Sequence, residues 1–140
     1  VSDTAGLPIP VGGGPYGIAI TPDGKTAYIA YFGPFSNPGS GNTVISLDLK
    51  SETPGFPIIV GAGPVGIAIT PDGKKAYVTN SGAGIGNTVT PINLATQKAE
   101  SFLLVGLGPI GIAVTPDGKT AYVTNFGALS GTGNSVTPIK

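Results

Sequence analysis

Residues Gly14–Tyr31 read GPYGIAITPDGKTAYIAY, two short apolar runs held apart by Thr-Pro-Asp-Gly-Lys. Pro22 presets φ at the first corner of a tight turn, and Gly24 can take the left-handed conformation that closes it. The block returns as GPVGIAITPDGKKAYVTN at Gly63–Asn80 and as GPIGIAVTPDGKTAYVTN at Gly108–Asn125. Pro15, Pro64 and Pro109 mark one position, so the periods are 49 and 45 residues. A Gly/Ser-rich stretch follows each block, then NTVISLDL (Asn42–Leu49), NTVTPINL (Asn87–Leu94) or NSVTPIK (Asn134–Lys140). Apolar runs ending in Val-Gly come next, at Phe56–Gly61 and Phe102–Gly106, and Leu7–Gly12 is a further copy of that run.

Outward from the turn, each repeat carries four short runs rich in Val, Ile, Thr and Tyr with no sustained helical period, which predicts strands. In the first repeat these are strand A at Gly17–Thr21, strand B at Thr26–Tyr31, strand C at Thr43–Leu49 and strand D at Phe56–Val60. Four strands in some 40–50 residues are the signature of a propeller blade. The expected fold is therefore all-β: a β-propeller with three four-stranded blades, a single half-propeller domain over residues 1–140 with repeats at about 1–49, 50–94 and 95–140. Strand A is apolar on both sides, Ile18 and Ile20 pointing one way and Ala19 the other, as suits an inner strand between neighbouring blades. Pro91 and Pro138 fall inside strand C, at the place of Ser46, where a lost ladder donor predicts a bulge or bend.

TPDGKTAYIAY, TPDGKKAYVTN and TPDGKTAYVTN, each followed by Asn-[Thr/Ser]-Val, resemble the YVTN-type β-propeller repeat family, over nearly the whole chain. The resemblance implies a propeller, and a secreted or cell-surface protein of the bacterial or archaeal kind that serves as a binding or surface-layer module. The first copy departs from the pattern: Tyr31 stands where the terminal Asn belongs, and its loop Phe32–Gly41 is longer. Pro91 and Pro138 replace an apolar residue.

Known propellers close with at least four blades. A three-blade arc leaves two apolar faces to cover. Val1 aligns with Lys50 and Lys140 with Asn93, so the sequence corresponds to three repeats cut between strands C and D. The expectation is a homodimer closing a six-bladed ring, with strand D of the last blade supplied by another chain or by the N-terminus. A nine-bladed trimer, a piece of a longer propeller and an engineered chain are the alternatives.

Composition narrows the chemistry. Seven lysines, no arginine and seven acidic residues give no net charge, too few cations for a phosphate-binding face, so no nucleic-acid partner is expected. Cysteine and histidine are absent, which removes disulfides, thiol chemistry, His-based triads and the usual zinc ligands. No catalytic residue, metal site or cofactor is predicted. Phe56–Ile69 and Phe102–Val114 are too short and too interrupted to span a membrane, and the N-terminus has no signal-like segment. Three GxGxxG matches, starting at Gly12, Gly61 and Gly106, are followed by a strand and a Pro-Asp-Gly turn rather than a helix, and read as turns between strands D and A. Asp23, Asp72 and Asp117 read as turn residues bonding their own backbone rather than a ring of cation ligands.

The D–A and B–C connections share one end of each blade. Tyr16, Tyr31, Phe32, Phe35, Asn80, Asn125 and Phe126 gather there, rings for stacking beside amides for hydrogen bonds. A carbohydrate or peptide ligand suits such a platform. The functional expectation is a non-enzymatic scaffold or binding module that self-assembles through its blades. Its alternatives are a fragment of a larger propeller enzyme with catalytic residues elsewhere and a lectin-like oligomer.

Overall fold

Twelve strands in three antiparallel sheets make up the computed structural model, which describes residues 3–127 and 133–140. The first sheet is β1 (Pro15–Ile20), β2 (Thr26–Tyr31), β3 (Thr43–Asp48) and β4 (Thr53–Ile59), in that order. The second is β5 (Pro64–Ile69), β6 (Lys75–Asn80) and β7 (Thr88–Asn93), with β8 (Lys98–Ala99) and β9 (Leu103–Leu104) both on the outer edge of β7. The third is β10 (Pro109–Val114), β11 (Ala121–Asn125) and β12 (Ser135–Ile139). A 3-10 turn at Gly82–Gly84 is the one helical element among the described residues, and none is long and apolar enough to cross a membrane.

The Pro-Asp-Gly turns form as read. Gly24 takes φ of 70° and its N–H donates to the Thr21 carbonyl at 2.8 Å, and Gly73 and Gly118 repeat the arrangement. Thr21 Oγ1 donates to Asp23 Oδ1 at 2.6 Å while Lys25 N–H donates to the same oxygen, and Asp72 and Asp117 do likewise. These hydrogen bonds, led by the threonine hydroxyl, hold all three carboxyls below the ordinary aspartate value.

The inner pair of every sheet carries a bulge that the sequence reading did not include. Register slips between Pro15 and Ile18, between Pro64 and Ile67, and between Pro109 and Ile112. The extra residues are the repeated pairs Tyr16-Gly17, Val65-Gly66 and Ile110-Gly111. A Cβ on Gly17 would run into the Val65 carbonyl oxygen, and one on Gly66 into that of Ile110. Glycine is needed there because neighbouring inner strands touch backbone to backbone.

Pro91 and Pro138 do not disturb the ladder toward strand B. Tyr77 faces Pro91 and Tyr122 faces Pro138 in unbroken register. The irregularity lies on the other edge: β7 pairs β8 and β9 in registers one residue apart, and β3 slips against β4 at Ser46, which is not proline. The Pro91 carbonyl accepts from Glu100 N–H, so this residue's backbone groups face strand D, where the bulge leaves no donor wanted. Proline is tolerated at a bulge already there rather than creating it.

The largest core lies between the first two sheets. Tyr28, Ala30, Val44, Ile58 and Val60 of the first meet Ile67, Ala76, Val78 and Ile92 of the second, with Leu94 beyond β7. A smaller cluster of Ala27, Ile29 and Leu47 lies on the other face of the first sheet, covered in part by Ile9, Val11 and Leu49. The run Leu7–Gly12 forms no strand within the chain.

Candidate functional site

The seven residues singled out from sequence divide into two groups. Asn80, Asn125 and Tyr31 are buried and present nothing to a solute. Asn80 Nδ2 donates to Thr88 Oγ1 at 3.0 Å and to Thr90 Oγ1 at 2.9 Å, and Thr90 Oγ1 also accepts from Gly61 N–H. Asn125 repeats this with Ser135 and Thr137, and Thr137 with Gly106. The amide is a latch that ties strand B to strand C and to the linker that enters the asparagine's own sheet, ahead of β5 for Asn80 and of β10 for Asn125. A Cβ on Gly61 or Gly106 would strike it, which explains the glycine of each Val-Gly. In the first repeat the Tyr31 ring lies over Gly12 instead, with its hydroxyl buried and burial pushing its pKa up.

The other four are at the surface. Tyr16, Phe32 and Phe126 line one cleft of about 400 Å³ together with Val65, Ile110 and Ser81, and the 3-10 turn supplies Ala83 and Gly84. The Tyr16 and Phe32 rings lie 5.4 Å apart at 50°, within the range of favourable aromatic pairs. Phe35 is outside this cleft and flanks an adjoining groove with Tyr16, Phe32 and Pro38. Two repeat positions build the cleft: Tyr16, Val65 and Ile110 are one, and Phe32, Ser81 and Phe126 the other. The first sits in the bulge of each inner strand, and a bulge re-aims a side chain. The second begins each B–C loop, fixed by Phe32 N–H donating to Gly14 O, Ser81 N–H to Gly63 O and Phe126 N–H to Gly108 O. Val65, Ile110 and Ser81 were passed over because they are not aromatic, yet the repeat register alone would have found them.

No family model and no curated protein matches the chain. Among solved structures it is similar to the hydrazine synthase of Kuenenia stuttgartiensis, with 28% identity and a TM-score of 0.72 over 89% of this chain and 37% of that one. It is also similar in fold to a 6-phosphogluconolactonase-like protein of Bacteroides uniformis, with 19% identity and a TM-score of 0.60 over 79% of this chain and 33% of that one. The chain thus spans about a third of the length of either.

Among the described residues, the cleft has no Lys, Asp or Glu in its lining. A larger hollow of about 630 Å³ lies at the A–B turns of the second and third sheets, lined by Asp72, Lys74, Lys75 and Asp117. Its charged groups are largely engaged: the two aspartates bond their own turns, and Lys75 Nζ pairs with Glu100 at 2.8 Å, which raises the lysine pKa. The aromatic cleft, whose rings are not so engaged, is the better candidate for a ligand.

Proposed function

We propose that the chain is a three-bladed half of a β-propeller that self-assembles with a second copy into a six-bladed ring, and serves as a binding module rather than an enzyme. One observation carries the binding half: two repeat positions from all three sheets converge on a single apolar cleft containing Tyr16, Phe32 and Phe126. An uncharged lining with exposed rings favours an uncharged ligand that stacks, a carbohydrate ring or the apolar side chains of a peptide. The B–C loops flank it, as is common for sites carried by loops on a rigid sheet scaffold.

Glycan and peptide arrays probed with the chain, followed by calorimetry on any hit, test this reading. Phe32→Ala and Tyr16→Ala are expected to weaken binding at least tenfold while leaving the far-ultraviolet circular dichroism unchanged. Absence of binding on both arrays, or binding indifferent to both substitutions, overturns it. The enzyme alternative draws on the likeness to a hydrazine synthase and on the chain's spanning about a third of it. A longer native gene with histidine or acidic residues lining its other blades would favour that alternative.

A further inference from the structure

Resting on that self-assembly, we propose that Leu7–Val11 of one copy is the missing outer strand of the third sheet of the other, pairing with β12 in a defined register.

The run Leu7–Gly12 is already in the place such a strand would occupy. Ile9 and Val11 are the repeat equivalents of Ile58 and Val60, and they cover Ala27, Ile29 and Leu47. Those three are the equivalents of Ala76, Val78 and Ile92, which Ile58 and Val60 help to cover in the core between the first two sheets. The smaller cluster therefore has no buried counterpart of Ile67, Ile18 being bare, and lacks the facing trio Tyr28, Ala30 and Val44 altogether. Their equivalents are Tyr122, Thr124 and Val136 of the third sheet. Val136 is 55% exposed where Val44 and Val89 are 0%, and Tyr122 is 48% exposed where Tyr28 is 2%. The first sheet exposes the matching surface: Ile18 and Ile20 lie bare where Ile67 is buried and Ile69 packs on the core. One face lacks what the other displays.

Backbone chemistry fixes the register. Val60 N–H donates to the Asn42 carbonyl, so alternate residues of that strand face β3 and Pro57 and Ile59 turn their nitrogens outward. Pro8 and Pro10 fall at those outward positions. Neither removes a bond to the incoming strand, and both blunt the far edge against further pairing. Thr43, Val44 and Ile45 face Ile59, Ile58 and Pro57. Carried over, Ser135, Val136 and Thr137 of one copy face Pro10, Ile9 and Pro8 of the other. The inner strands follow: Thr79 Oγ1 donates to the Ile110 carbonyl across the second and third sheets, so Thr124 donates to the Tyr16 carbonyl of the second copy. Two such junctions, related by a two-fold axis, close the ring.

The chain contains no cysteine, so a cross-link reports the register directly. Pro10 and Ser135 become a non-hydrogen-bonded antiparallel pair, whose Cα separation of about 4.5 Å lies within disulfide reach. Wild-type chain is expected at twice 13.8 kDa by light scattering. A mixture of Pro10→Cys and Ser135→Cys chains is expected to form a disulfide-linked dimer on oxidation, and neither variant alone to do so. Val136→Asp is expected to weaken self-association at least tenfold with unchanged circular dichroism. A wild-type dimer whose mixed variants do not cross-link overturns this register and leaves self-assembly standing. A wild-type chain that stays at 13.8 kDa at every concentration overturns both, and is the result expected if strands of a longer polypeptide cover these faces.

Discussion

The Thr79 hydroxyl accepts a hydrogen bond from Gly66 N–H at 2.8 Å and donates one to the Ile110 carbonyl at 2.9 Å, joining the bulge of the second sheet to the inner strand of the third. Thr79 is fully buried, and both of its bonds are part-buried, so the two backbone groups lose a protein partner in a site with little room for water to replace it. Thr79→Val keeps the shape and removes both bonds. It is expected to destabilise the chain by about 1–3 kcal/mol, the cost of leaving two part-buried polar groups without their protein partner. Thr124→Val is the comparison, since Thr124 is exposed and serves chiefly Gly111 N–H. In urea melts on dilute chain its effect should stay below about 1 kcal/mol. Equal effects would show that the contact between sheets contributes nothing of its own.

The same junction makes Gly66 and Gly111 unequal despite identical repeat positions. A Cβ at Gly66 meets the Ile110 backbone, whereas one at Gly111 meets only the Thr124 side chain. Gly66→Ala is expected to cost about 3 kcal/mol or more, since backbone contacts cannot yield without separating the sheets. Gly111→Ala should cost about 1 kcal/mol or less in the dilute chain. Thermal denaturation of the two variants side by side checks the difference, and a tolerated Gly66→Ala would contradict the close approach.

Much of this arrangement was legible in the sequence, and the parts that were not share a cause. The Pro-Asp-Gly turns, β2 and the count of three sheets follow from local rules, because a turn residue and an alternating run act within a few positions. Strand boundaries drifted by one to three residues: β1 begins at Pro15 and β4 at Thr53, where pairing across the sheet extends the strand beyond its apolar run. The inner-strand bulge was missed because Tyr16-Gly17 looks locally like ordinary strand, and only a neighbouring sheet's carbonyl shows why glycine is there. Asn80 and Asn125 were placed on the binding platform for their chemistry. Their burial depends on Thr88, Thr90, Ser135 and Thr137, residues of another strand.

The asparagine latch and its tyrosine replacement should respond in opposite directions. Asn80→Ala frees Thr88 and Thr90 from their shared donor and opens a void beside Gly61. A loss of about 2–4 kcal/mol is expected. Tyr31→Phe removes a buried hydroxyl that has no hydrogen-bond partner among the described residues and keeps the ring over Gly12. It is expected to be neutral or to stabilise by up to about 1 kcal/mol. Chemical denaturation followed by circular dichroism suits both, as the chain has no tryptophan. A Tyr31→Phe variant less stable than wild type would mean that the hydroxyl has a partner after all.

Acid should loosen the chain through its turns. Asp23, Asp72 and Asp117 are held below their ordinary value of 3.8 first by the threonine hydroxyl and then by a backbone N–H. Asp48 is held down by Ser51, through its N–H and then its hydroxyl, and by Lys50 N–H. A carboxyl whose pKa is lower in the folded chain than in the unfolded one binds its proton more readily after unfolding. Its contribution is complete above pH 3.8 and is lost as pH falls through the depressed folded values. Melting temperature is therefore expected to be flat from neutrality down to about pH 5 and to fall steeply below about pH 4. All four groups are fully exposed, so the fall is a shared one and added salt affects only its coulombic part. In Asp23→Asn/Asp72→Asn/Asp117→Asn the amide oxygens still accept from the turns but carry no titration. That variant should melt lower than wild type at pH 7 and show a shallower decline between about pH 4 and pH 2. An unchanged acid slope in the triple variant would assign the acid sensitivity to a carboxyl outside the three turns, Asp48 first.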